Sequence, residues 1–285
     1  MAHIPIRDVS LFVKIIGSGY PVVVMHGGPG ADYTTVMSLR GCANSFKLIF
    51  YDHRCNGRSR GADVTSFTWD NLTADADALR QALGFEKWAV LGHSFGGMVA
   101  MEYALRYPDR VSHLVLMDTG GDTRWSMEKA PETLASRGYS PDTVELARKF
   151  LNGAIEPDEM LPSLMKLNKA YFPHNLGFRR SVRLMFSGIG TKLQPETMIY
   201  ARHHTLQGWT VMNRLGEIKV PTLIIAGRDD FIFPPEHQEQ LAAGISDSQL
   251  LFIENAGHNP HEEWPDEVNE AVRNFLLAHA DGLAT

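Results

Sequence analysis

Ser94 lies in Gly92-His93-Ser94-Phe95-Gly96, a G-x-S-x-G arrangement that follows a short apolar run and precedes a helical pattern. A sharp strand-to-helix turn strains its central residue and brings neighbouring backbone very close, so glycine is needed two positions before and two after. The serine hydroxyl then stands above a sheet, and the helix that follows points its N-terminal amides towards developing negative charge. A serine alcohol is a weak nucleophile until a base takes its proton, and the base needs an acid to orient it. On this arrangement the acid and then the histidine come later in the chain. Asp229 and Asp230 in "RDDFIFP", and His258 and His261 in "NAGHNPHEEWP", follow two later apolar runs. Asp230 is favoured over Asp229 because one more residue clears the sheet edge. His258 is favoured over His261 because it directly follows Gly257 in a turn, while His261 borders an acidic helix start. Asp118, ending "HLVLMD", is a rival acid.

Hydrolysis of an ester or amide passes through a tetrahedral oxyanion that two preorganised amides can stabilise. The glycine-rich "HGGPG" at residues 26–30 follows an apolar run and leaves a backbone amide unobstructed, so the expected donors are the N–H groups of Gly28 and Phe95. His26 is read as a brace for that loop, and Asp52, Arg54 and Ser59 as shaping the loop after the next strand. The adjacent His203 and His204 do not share a helix face and are not read as a metal pair. No paired-cysteine or H-E-x-x-H spacing, and no G-x-G-x-x-G at a first strand–helix turn, is present, so no metal or nucleotide cofactor is expected.

The elements that must hold these groups alternate. Apolar runs at residues 9–17, 21–27, 46–52, 87–92, 113–118, 221–227 and 249–254 read as strands. Residues 70–84, 98–108 and 265–280 read as helices. Strands apolar on both faces and separated by helices imply an α/β fold with a mainly parallel sheet flanked by helices. Between Gly121 and Gly216 the alternation stops. That stretch carries Trp125, Met127, Tyr139, Met160, Met165, Tyr171, Phe172, Phe178, Met185, Phe186 and Trp209. A structureless loop of such length is improbable in a compact domain, so a helical insertion is expected, part of it lining an apolar pocket.

With 285 residues the chain can bury a large core without staples. A net charge of −6, with no basic stripe, argues against nucleic acid. No secretory leader or bilayer-length apolar run is visible. Cys42 and Cys55 could form one disulfide on paper, but two thiols in so long a chain read as a reduced, cytoplasmic protein.

Together, "HGGPG", "YDHRCNGRS", "GHSFGG", "GRDDFIFP" and "AGHNPHEEWPDEV" resemble the α/β-hydrolase superfamily, and the first of them most resembles its proline iminopeptidase branch. The resemblance implies an α/β-hydrolase core at residues 1–120 and 217–285, with residues 121–216 as a helical cap. That branch commonly carries Gly-Gly-Ser-Trp-Gly and Asp-Gln-Arg-Gly, where this chain has Gly92-His93-Ser94-Phe95-Gly96 and Asp52-His53-Arg54-Cys55. It holds a substrate amine with cap glutamates; Glu128, Glu132, Glu145, Glu156, Glu159 and Glu196 are present, without a motif that transfers the role. The resulting expectation is a serine hydrolase cleaving a small carboxylic ester with an apolar group, Ser94, His258 and Asp230 forming its triad. An aminopeptidase of the iminopeptidase type is the alternative, and a C–C bond hydrolase of ring-cleavage products a more distant one. A hydrolase-fold binding protein without chemistry is disfavoured by the intact residue set.

Overall fold

The structure, a computed structural model, describes residues 1–174 and 190–278; Phe178, Met185, Phe186 and the predicted helix end at Ala280 lie outside the described residues. Eight strands form one sheet: β1 (Ala2–Ile6), β2 (Val9–Ile16), β3 (Pro21–Met25), β4 (Lys47–Tyr51), β5 (Trp88–His93), β6 (Val111–Met117), β7 (Thr222–Gly227) and β8 (Ser248–Ile253). Their spatial order is β1-β2-β4-β3-β5-β6-β7-β8. The β1–β2 and β2–β4 pairs are antiparallel, and all others are parallel.

β3 and β5 are buried at every position. Along β3, Val23 and Met25 join one apolar cluster while Val22 and Val24 join the other, which is the two-residue period of a sheet covered on both faces. The first face packs against α1 (Trp69–Ala82) and α2 (Phe95–Arg106). The second packs against a 3₁₀ segment at Tyr33–Asn44 and the last helix described below. β1 has no counterpart in the sequence reading: Pro5 interrupts its pattern and most of it is exposed, both compatible with an edge strand. α2 begins three residues before the apolar period suggests, because Gly96 and Gly97 in its first turn carry no periodicity.

Between β6 and β7 come α3 (Ala130–Ser136), α4 (Pro141–Leu151), α5 (Met160–Tyr171) and α6 (Pro195–His203). The described residues of this stretch contain no named strand, though an isolated bridge pairs Asp122 with Thr210. The C-terminal part adds α7 (Pro235–Gly244), α8 (Pro260–Glu263) and α9 (Pro265–Ala278). Cys42 and Cys55 are both free thiols; the buried Cys42 donates to Asn269 Oδ1 at 3.2 Å. Among the described residues no helix is long and apolar enough to cross a membrane.

Candidate active site

Ser94 sits between β5 and α2 with φ 54° and ψ −121°, a left-handed conformation costly for a side-chain-bearing residue. The flanking glycines are sterically required. A Cβ on Gly92 would fall on the Gly96 carbonyl, and one on Gly96 would strike the carbonyls of Met25 and His26. Gly97 lies against the Thr119 side chain, whose hydroxyl donates to the Ser94 carbonyl at 2.6 Å. The Ser94 N–H donates to Met117 O at 2.9 Å, fixing the turn on the end of β6. Although Ser94 is the N-cap of α2, its hydroxyl makes no capping bond and is left available.

That hydroxyl lies 2.9 Å from His258 Nε2, and His258 Nδ1 lies 2.8 Å from Asp230 Oδ2. A carboxylate only accepts, so Nδ1 carries the proton and Nε2 accepts from Ser94 Oγ–H. The Ile232 N–H donates to Asp230 Oδ1 at 2.7 Å, so the carboxylate is held at both oxygens. Asp230 follows β7 and His258 follows β8; both are buried.

The rivals go elsewhere. The Asp229 carboxylate meets His174 Nε2 at 2.7 Å. His261 Nε2 meets Thr35 O at 2.9 Å, with its ring 4.4 Å from that of His93. Asp118 is buried beside Asp230 and His258, the three offering polar atoms within 4.8 Å of one another, but it makes no hydrogen bond to His258. Its Oδ1 instead accepts from the Gly227 N–H at 2.8 Å. Burial first, and then the neighbouring Asp230 charge, push the Asp118 carboxyl well above the ordinary carboxylate range.

Gly28 and Phe95 both line the cleft above Ser94, and among the described residues neither N–H has a backbone acceptor. The loop carrying Gly28 is tied down from below. His26 Nδ1 donates to Gly27 O at 2.8 Å, and its Nε2 accepts from the His53 N–H at 3.2 Å. Asn56 Oδ1 accepts from the Gly30 N–H at 2.6 Å, while Asp52 accepts from the Tyr33 and Arg58 N–H groups at 2.9 and 2.7 Å. Arg54 pairs with Asp75 at 2.7 Å, and Ser59 Oγ donates to Asp52 O at 2.6 Å. Gly27 matters in a way the sequence did not reveal: a Cβ there would lie 2.7 Å from His93 Nδ1 and 3.2 Å from Ser94 Cβ.

Two further residues escaped the sequence reading. His93 Nε2 donates to the His258 carbonyl at 3.0 Å, tying the serine turn to the histidine loop. Burial and its histidine neighbours hold its pKa well below the usual imidazole value, so it remains neutral. Glu263 Oε1 accepts from the Gly257 N–H at 2.7 Å, and burial pushes its carboxyl up to about 8. Contacts between positions 93 and 258 leave no local periodicity to detect.

The cleft has a volume of about 1160 Å³. Met160, Leu161, Leu164, Tyr171, Phe172 and Met198 line it from the segment between β6 and β7. Trp209 is instead buried in packing, stacking on Trp69 and donating to Glu102 Oε1 at 2.7 Å, while Met165 is exposed. Glu128, Glu132, Glu145, Glu156, Glu159 and Glu196 are all exposed and none lines the cleft. His203 contacts Gly153 O at 3.3 Å and His204 packs on Tyr200, so the pair shares no ligand position.

Comparison with known proteins agrees with this architecture. The family model described as the alpha/beta hydrolase fold matches residues 20–265. The chain is 28% identical over 268 residues to the proline iminopeptidase PfmaB of Pestalotiopsis fici, covering 90% of this chain and 91% of that protein. It is 27% identical to a 2-hydroxy-6-oxo-6-phenylhexa-2,4-dienoate hydrolase of Comamonas testosteroni, covering 96% and 95%. A thermophilic esterase structure from Thermogutta terrifontis superposes with a TM-score of 0.74 at 27% identity, covering 98% and 99%. The chain belongs to the α/β-hydrolase family and is a hydrolase of that fold.

Proposed function

We propose that the protein is a serine hydrolase acting on a small carboxylic ester through an acyl-enzyme. The observation that carries this reading is the unbroken Ser94–His258–Asp230 hydrogen-bond chain, with spacings of 2.9 and 2.8 Å, at the floor of a cleft roofed by apolar side chains. Ser94 Oγ attacks the ester carbonyl as His258 Nε2 takes its proton. The N–H groups of Gly28 and Phe95 receive the oxyanion. His258 then protonates the leaving alcohol, and a water deprotonated by the same histidine releases the acid. Asp230 fixes the imidazole tautomer and stabilises the imidazolium. Residues 121–216 act as the cap over this floor, between core parts at 1–120 and 217–285. The two free thiols fit the reducing cytoplasm expected from the sequence.

The aminopeptidase reading has its own support in the similarity to proline iminopeptidases. Against it, the six glutamates named for holding an N-terminal ammonium are exposed and outside the cleft lining, which carries Asp158 and Glu262 instead. A side-by-side assay of p-nitrophenyl esters and N-terminal proline amides decides the matter. Ester turnover that disappears in Ser94→Ala is expected; amide turnover that requires a free amine and exceeds ester turnover would replace this reading with the peptidase.

A further inference from the structure

Arg202, in the last turn of α6, lines the same cleft as Ser94 and His258. Its position is built. Gly153, with φ 71°, leaves room for the arginine stem, since a Cβ there would lie 2.8 Å from Arg202 Cβ. Tyr171 is its neighbour, and the Tyr171 ring in turn packs 5.7 Å from the His258 ring, edge to face. Arg202, Tyr171 and His258 thus line one cleft, with Tyr171 against the catalytic-site histidine.

Arg202 Nε is shut off from water and, among the described residues, has no hydrogen-bond partner. The other buried arginines differ in having ion-pair partners: Arg54 is paired with Asp75 and Asp8, although its Nη1 is also unpartnered, and Arg80 with Asp77. A buried, unpartnered nitrogen on a charged group is expensive, so a guanidinium without an ion-pair partner at this place needs an explanation. Burial lowers its pKa from the usual arginine value, with Tyr171 opposing slightly. Among the described lining residues Arg202 is the one lysine or arginine side chain. A single planar fork among the described lining residues, in a cleft that also carries Asp158 and Glu262, suits a carboxylate monoanion, which it can grip bidentately, better than a doubly charged phosphate.

We infer that Arg202 is the anion-binding subsite of the cleft, and that the ester substrate carries a free carboxylate at the end of its chain remote from the scissile bond. This rests on the hydrolase reading above for the word ester; the anion site itself does not. An exposed carboxylate group on the substrate would complete the guanidinium and anchor the reacting carbonyl by a group that takes no part in the chemistry.

Two measurements separate the claims. In the first, kcat/KM is compared for 4-nitrophenyl monoesters of succinic, glutaric and adipic acids and for their methyl-capped, uncharged counterparts. The wild-type chain should favour at least one free acid over its capped form by about tenfold or more, the scale of a charge-assisted contact. Arg202→Met should abolish that ratio chiefly through KM, and Arg202→Lys should keep part of it. A wild-type preference for the capped esters, or a ratio unchanged in Arg202→Met, overturns the proposal. In the second, calorimetry follows binding of glutarate, glutaramide and inorganic phosphate to the Ser94→Ala protein, with and without Arg202→Met. Glutarate should bind best and lose about tenfold or more in affinity with Arg202→Met. Phosphate binding more tightly, or glutarate binding that ignores Arg202, overturns it. Arg202-dependent glutarate binding without ester turnover would leave the subsite standing and remove the ester-hydrolase reading; turnover blind to the carboxylate would do the reverse. Arg202→Met should also melt no lower than wild type, because it relieves an unpaired charge. A Tm lowered by several degrees would make Arg202 a structural part and sink the proposal.

Discussion

The floor and the roof of the cleft are built on opposite principles. On the floor, Asp230 is held by His258 and Ile232, His26 by Gly27 and His53, and the His258 loop by His93 and Glu263. Most of those partners lie in or just beyond strands of the sheet, and Glu263 comes from α8. In the roof, apolar side chains of α5 and α6 face the cleft, Arg202 has no ion-pair partner among the described residues, and Asp158 borders the cleft while Glu128, Glu132, Glu145, Glu156, Glu159 and Glu196 are exposed outside its lining. A site that must hold atoms to within fractions of an ångström needs completed hydrogen bonding. A surface that selects among substrates gains from a group that only the right molecule completes.

The floor is the place to break this contrast. Ser94→Ala should lower kcat/KM on p-nitrophenyl esters by about 10⁴-fold or more with an unchanged melting curve, since the turn geometry is set by its glycines. Turnover surviving in that variant would remove the nucleophile assignment. Asp230→Asn should cost about 10⁴-fold, because the amide favours the wrong imidazole tautomer. Asp118→Asn should cost less than about tenfold, because Asp118 accepts from the Gly227 N–H and Asp230, not Asp118, meets His258. Steady-state kinetics on the two variants, run together, would move the acid to Asp118 if the order were reversed.

His93→Gln tests the tie between turn and loop. A drop of about tenfold in kcat with little change in KM is expected, as for loss of one neutral hydrogen bond that positions the base. Loss of KM alone would place His93 in substrate binding instead. Glu263 offers a pH signature in stability rather than rate. Its folded pKa, about 8, lies above the ordinary value of 4.5, so between those values the unfolded chain binds fewer protons. Stability therefore falls as pH rises from 4.5 to 8 and levels off beyond. Glu263→Gln should flatten that decline in Tm measured from pH 5 to 9, and parallel curves for the two proteins would contradict the assignment. The smallest effect belongs to the roof's outer surface. Glu132→Gln and Glu196→Gln should change kcat/KM less than about twofold on esters and on N-terminal proline amides alike. A large loss confined to the amides would recast them as amine ligands.

The legibility of this molecule in its sequence follows the range of the forces involved. The parallel strands show as apolar runs because both faces are buried, and the serine turn shows because its crowding dictates glycine at fixed offsets. Asp230 and His258 could be located because each lies a few residues beyond such a run. β1 was invisible because an edge strand needs little burial and tolerates Pro5. α7 was missed because it begins "PEHQEQ" with little apolar periodicity. His93 and Arg202 acquire their meaning from partners, or the lack of them, brought together across the fold. No pattern within a window of sequence can carry that.

The bridge between Asp122 and Thr210 has a consequence for how such a molecule can change. β6 and β7 are neighbours in the sheet, so the chain leaves and re-enters the core through one narrow doorway, fastened by Val211 N–H to Gly121 O at 2.8 Å and Thr123 N–H to Trp209 O at 3.2 Å. A long detour whose two ends already lie side by side costs the sheet no register and closes no new loop through it. The roof can therefore be lengthened, trimmed or exchanged as a single graft at that hinge-width of backbone. Ser94, Asp230 and His258 would stay where they are, and the same chemistry would face a different set of molecules.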